Sequence, residues 1–142
     1  MGGIADMPDI AEMPDIAGAI AHFGIGARAS IATVHQGTGY FAVTPKAPYD
    51  GTLSTAEQAD QLFEKAEARL SQIGSSKQGL LFVAILLRDI GDVAAFNERW
   101  DAWVAGITPP ARACFEARLA NPDMKVEMIM VCAAAPADGT QV

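Results

Sequence analysis

With 142 residues the chain has room for one core and not for two. Half of it is hydrophobic, which excludes a disordered chain, and a formal net charge of −7, with Lys and Arg in no dense patch, disfavours nucleic acid as a partner. Cys114 and Cys132 are too far apart for a Cys-x-x-Cys pair, no basic-then-apolar leader opens the chain, and the longest apolar run is only Gly79 to Leu87. These features predict reduced thiols in the cytoplasm and no membrane span.

The chain begins with an internal repeat, Met7 to Ala11 recurring as Met13 to Ala17. Two copies are too few for a solenoid, and each carries a proline. Residues 1–27 are therefore expected to form an extension, either mobile or an arm docking on a neighbouring subunit through Ile10 and Ile16. From Ser30 the pattern turns to β: "SIATVHQ" and "GYFAVT" flank a glycine-containing turn and predict a hairpin. The Pro-, Gly- and Asp-rich "TPKAPYDGTLS" is a connecting loop.

Ser54 or Thr55 can cap the next element, with Glu57 or Gln58 completing a capping box. Ala59, Leu62, Phe63, Ala66, Leu70 and Ile73 then recur at helical spacing, and Gly74 stops the helix. "LLFVAILL" is continuous and rich in β-formers, which predicts a buried central strand. A second helix follows, with Val93, Phe96, Trp100 and Trp103 or Val104 on one face and Gly106 as its stop. Aromatic residues at that spacing read as core. "ARACFEARL" and "KVEMIMVCA" are strand-like runs separated by the turn signal Asn121-Pro122-Asp123, and predict a second hairpin. The order ββαβαββ defines an α+β protein with two helices packed on one face of a sheet. Residues 28–135 form its domain and 136–142 a C-terminal tail.

Chemistry-bearing residues concentrate in the last third. Arg112 and Cys114, two apart on one strand, leave the same face, with Phe115 expected to point the other way, toward the helices. A guanidinium beside a thiol suits a small organic acid, although on spacing alone a surface arginine and a small buried cysteine are the favoured explanation. In a simple hairpin register Glu127 falls opposite about Glu116, on the order of 13 Å along the strand from Arg112. A small ligand could not bridge that gap within one hairpin, so a water or a neighbouring subunit would have to close it. His22 and His35 have no metal-ligand spacing, and "GIGARAS" precedes a strand, the wrong context for a dinucleotide loop.

In order along the chain, "GSSKQG", "DVAAFNERW", "PPARACFEARL" and "KVEMIMVCA" resemble the Rid or YjgF-type family of reactive intermediate deaminases, over about residues 28–133. The resemblance implies a chorismate-mutase-like fold, a mixed six-stranded sheet with two helices on one face. It further implies a homotrimer with ligand clefts between subunits, and no metal or organic cofactor. Better-known members hydrolyse 2-imino and enamine acids, released by pyridoxal-phosphate enzymes, to 2-keto acids and ammonia. Carried over, Arg112 would anchor the substrate carboxylate, Cys114 would line the pocket, and Glu127 would position the attacking water; Asn97 matches the family's second-helix asparagine. Two positions depart from the pattern: Ala29 stands where a first-strand tyrosine is usual, and Val43 replaces a glycine whose backbone approaches the ligand. Both are expected on the wall that the first hairpin lends to the pocket. The alternative implied by those departures is a non-catalytic small-carboxylate binder or regulator.

Overall fold

The computed structural model describes residues 19–135. The Met7–Ala17 repeat and the tail at 136–142 lie outside the described residues.

The sheet begins inside the stretch expected to be an extension: Ala21–Ile25 (β1) pairs antiparallel with Ser30–His35 (β2). Gly24 conceals this strand in the sequence. It breaks the β pattern with φ +58°, and a Cβ there would come within 2.5 Å of the Ile31 side chain, so the position requires glycine. Thr38–Val43 (β3) continues the meander after a two-residue turn in which Gln36 (φ 50°) and Gly37 (φ 79°) both take left-handed backbone angles. That is the primed geometry whose twist matches the flanking strands.

Thr55–Gln72 (α1) starts at a complete capping box: the Glu57 amide donates to Ser54 Oγ and the Ser54 amide donates to Glu57 Oε1. Its apolar stripe, Ala59, Leu62, Phe63, Ala66 and Leu70, is buried against the sheet. Leu80–Leu87 (β4) leads through Val93–Trp103 (α2) to Ala111–Glu116 (β5), which lies parallel to β4 at the sheet edge. Phe96, Trp100 and Trp103 of α2 join Phe63 of α1 in one aromatic cluster, where Phe63 and Trp103 stack at 4.6 Å.

Val126–Ala133 (β6) does not form the expected hairpin with β5. It runs antiparallel between β3 and β4, giving the order β1-β2-β3-β6-β4-β5. A hairpin needs only a short loop, whereas residues 117–125 are long enough to carry the chain past the end of β4. The central slot also pairs both edges of the most apolar of the late strands. Glu127 therefore sits beside Leu86 of β4, not opposite Glu116. The Asn121-Pro122-Asp123 turn does form, with the Asp123 amide donating to Asn121 Oδ1 at 2.8 Å.

Polar groups hold that crossover in place. Gln58, fully buried on α1, donates from Nε2 to the carbonyls of Asp50 (3.1 Å) and Asp123 (2.8 Å) and accepts from the Lys125 amide (2.8 Å). Arg88, just past β4, donates to the carbonyls of Asn121 and Met124, each at 2.7 Å. Replacing Gln58 by Ala strands three backbone groups, and the expected loss of stability is about 3 kcal/mol by urea unfolding. A loss below about 0.5 kcal/mol would mean that water replaces the amide freely.

Candidate functional site

Strand pairing decides which way each candidate side chain points, because laterally paired residues share a face. Arg112 pairs with Val83 and Cys114 with Ile85, both fully buried beneath the helices. Arg112 and Cys114 thus project to the helix side, and Phe115, paired with Leu86, projects to the opposite face, where it is exposed. The expectation for Phe115 is reversed. As an edge strand beneath the end of α2, β5 turns its polar arginine to the helical side at the margin, while the other face of the sheet carries no helix.

The guanidinium carbon of Arg112 lies 5.3 Å from the ring centroid of Trp100 on α2. Among the described residues Arg112 has no ion pair; the one ion pair found there joins Arg99 to Asp60. Trp100 is an interaction the sequence did not disclose, since aromatic spacing on a helix signals core and Trp100 is indeed core on its other side. Only the parallel βαβ crossover, which lays the second half of α2 over the start of β5, brings the two together.

Cys114 is half-buried against the core. Burial pushes its thiol up from the ordinary value, and the charge of Arg112 opposes this only in part. The thiol is accordingly a weak nucleophile at neutral pH and a better wall than a reagent. Asn97 lies one turn before Trp100 on α2, and its Oδ1 is buried without a hydrogen-bond partner among the described residues. Rises of about 1.5 Å per helical residue and 3.3 Å per strand residue put Asn97 roughly level with Cys114 along the crossover. An unpaired acceptor there is available to a ligand N–H or a bridging water.

Glu127 stands apart from this group. Its partner Leu86 is level with Phe115, so Glu127 projects to the helix-free face, half-buried among neighbours that include Leu86 and Ile129. Burial raises its pKa. Two strand spacings and three residues of rise separate the Cα atoms of Arg112 and Glu127 by about 14 Å, on opposite faces. One chain does not bring them together. Ala29 is exposed in the tight turn between β1 and β2, where its carbonyl accepts from the Gly26 amide at 2.9 Å. Val43 is only 2% exposed and packs beneath the helices beside Met128, so its side chain forms core and not a pocket wall.

The helix-free face is apolar. Ile31, Tyr40, Phe82, Phe115 and Ile129 each remain 39% to 47% exposed in the single chain. Large hydrophobics ranged along one sheet face mark an interaction surface.

A meander and a βαβ unit joined through one inserted strand is the fold of the YjgF-type proteins. The chain belongs to that family: the model described as Endoribonuclease L-PSP matches residues 30–134. A RutC family protein of Haemophilus influenzae is 36% identical over 106 residues, spanning 74% of this chain and 90% of that one. The RutC family protein YoaB of Escherichia coli K12 is 36% identical over 111 residues, spanning 75% and 91%. A crystal structure of a YjgF family member from Neisseria meningitidis superposes with a TM-score of 0.75 at 37% identity, covering 83% of this chain and 97% of that one.

Glu127 gives the site a pH signature. Burial makes its charged form costly, so the folded chain holds the proton more tightly than the unfolded chain. Its penalty is absent below the ordinary carboxyl range and sets in as pH rises through the folded value. Glu127→Gln should therefore melt above wild type at about pH 7.5 and together with it at about pH 3.5. Identical melting at both values would place Glu127 in open solvent.

Proposed function

We propose that this chain is a homotrimeric deaminase that hydrolyses reactive 2-imino and enamine acids to 2-oxo acids and ammonia in clefts between subunits. The observation that carries this reading is Arg112, a guanidinium without an ion-pair partner among the described residues of a chain with seventeen acidic side chains. Such a fork suits a bidentate carboxylate. The 14 Å estimate between Arg112 and Glu127 supports a site shared by two copies, and the open apolar sheet face supplies a surface on which copies can assemble. The name of the matched family model points to RNA cleavage. A net charge of −7 opposes a phosphate backbone and favours the small-acid reading.

The chemistry needs positioning more than force. Arg112 fixes the carboxylate. Glu127 accepts a proton from water as the water oxygen bonds to the imine carbon, and passes that proton to the imine nitrogen to give a neutral carbinolamine. It then takes the carbinolamine's hydroxyl proton and delivers it to the amine nitrogen as the C–N bond breaks, so that the carbonyl forms, ammonia leaves and Glu127 is again a carboxylate. A carboxyl whose pKa is raised by burial takes up a proton more readily than an ordinary one. Cys114 and Asn97 line the Arg112 side.

The test generates 2-aminoacrylate in situ and follows ammonia release, with chain mass in solution read by light scattering. Wild type should accelerate release as a trimer, Arg112→Ala should abolish it, and Glu127→Gln should lower kcat by about 100-fold or more. Full activity in Arg112→Ala overturns the reading. Arg112-dependent 2-oxo acid binding without turnover of any imine would instead establish the binder or regulator, the reading that the hydroxyl-free Ala29 and core-facing Val43 favour.

A further inference from the structure

We propose that Trp100 is the positioning residue for Arg112: its ring is a fixed platform that holds the guanidinium flat and aims its N–H fork at an incoming carboxylate. The proposal rests on the carboxylate-clamp reading of Arg112 and adds the element that makes the clamp rigid.

An arginine at the start of an edge strand is poorly held by its own strand. Its stem is long, and fixing it for a ligand costs rotamer entropy at the moment of binding. Here the guanidinium lies 5.3 Å from the Trp100 ring centroid, within cation–π range. Trp100 itself is only 4% exposed and cannot follow the arginine about. It is wedged against Phe96 (6.2 Å), Phe63 (6.3 Å) and Trp103 (5.7 Å). A ring that engages the face of a guanidinium leaves the in-plane N–H fork free for a carboxylate, so the two interactions need not compete. The ring also removes water from one side of the cation, which strengthens its attraction for an anion on the other. The carboxylate end of the ligand is thereby assigned to the margin where the start of β5 meets the second half of α2, on the helix side of the sheet.

Both tryptophans of the chain lie in α2, so Trp103→Phe leaves Trp100 as the single emitter while preserving an aromatic ring stacked on Phe63. In that parent, adding Arg112→Ala without ligand should alter the Trp100 emission, and titration with 2-oxobutanoate should alter it with a saturation curve matching calorimetry. In the otherwise native trimer, Trp100→Leu should raise the Kd for 2-oxobutanoate and the KM for the imine about fivefold, and Trp100→Phe by about twofold, with kcat held. If 2-oxobutanoate binds wild type, fails to bind Arg112→Ala, and binds Trp100→Leu and Trp100→Phe as tightly as wild type, Trp100 has no positioning role and the clamp reading stands. If wild type binds no 2-oxo acid, both fall. Should Trp100→Leu fail to fold, Trp100→Phe and the emission changes decide: an unchanged KM with an emission indifferent to Arg112 and to ligand overturns the proposal.

Discussion

The arrangement depends on one strand being in the middle. β6 is the last strand in the chain, yet it is the seam between the β1-β2-β3 meander and the β4-α2-β5 unit, pairing with β3 on one edge and β4 on the other. Its strict alternation sends Val126, Met128, Met130 and Cys132 beneath the helices, all fully buried, and sends Glu127, Ile129 and Val131 to the opposite face. A shift of one residue would exchange those two sets, placing a carboxyl in the core and methionines outside. Register on β6 is thus fixed by burial, and the position of Glu127 follows from it.

That register has to be set before β6 begins. The chain leaves β5 at one margin, passes the end of β4, and must deliver Val126 at the correct height two strands inward. Gln58, Arg88 and Lys125 accomplish this with bonds to loop backbone: the Gln58 amide brackets Asp50, Asp123 and Lys125, Arg88 takes the carbonyls at Asn121 and Met124, and Lys125 Nζ donates to Leu53 at 2.6 Å. Buried donors and acceptors of this kind tolerate few alternative loop paths, since each alternative leaves several unpaired. Meanwhile Met124, only 2% exposed, anchors the same loop to the core.

Much of this was legible. The capping box at Ser54, the stripe on α1, the aromatic face of α2 and the limits of β4 all follow from local periodicity and local turn chemistry, which is what a sequence displays directly. β1 was not legible because Gly24, needed to clear Ile31, erases its alternation. Pairing partners were not legible either: two strands separated by a turn signal suggest a hairpin, and nothing in "ARACFEARLANPDMKVEM" announces that β4 lies between them. The site suffered from the same gap. Arg112 and Cys114 do share a face, as their spacing requires, but the identity of that face depends on the parallel pairing with Val83 and Ile85, and the reversal of Phe115 follows. Val43 could not be placed from its motif position, since whether it points to ligand or core is set by its pairing with Met128.

Under the proposed function, Arg112 on the helix side and Glu127 on the helix-free side tie assembly to chemistry. "LLFVAILL" is apolar at every position, the signature of a strand covered on both faces, yet the helix side buries only Leu80, Val83, Ile85 and Leu87; Leu81 and Phe82 stay exposed in the single chain. The apolar run therefore implies a second cover, which under the proposed function is a further copy of the chain. Covering that face deepens the burial of Glu127 and raises its pKa further by the same desolvation that already acts on it. In the proposed assembly Arg112, at the margin, would be reached by a neighbour's edge and not by its face. There the Glu127 carboxyl would be tuned by the subunit contact, while Arg112 would be tuned by Trp100 within its own chain. The two halves of the site then answer to separate elements, which is why their separation in one chain is compatible with joint action in several.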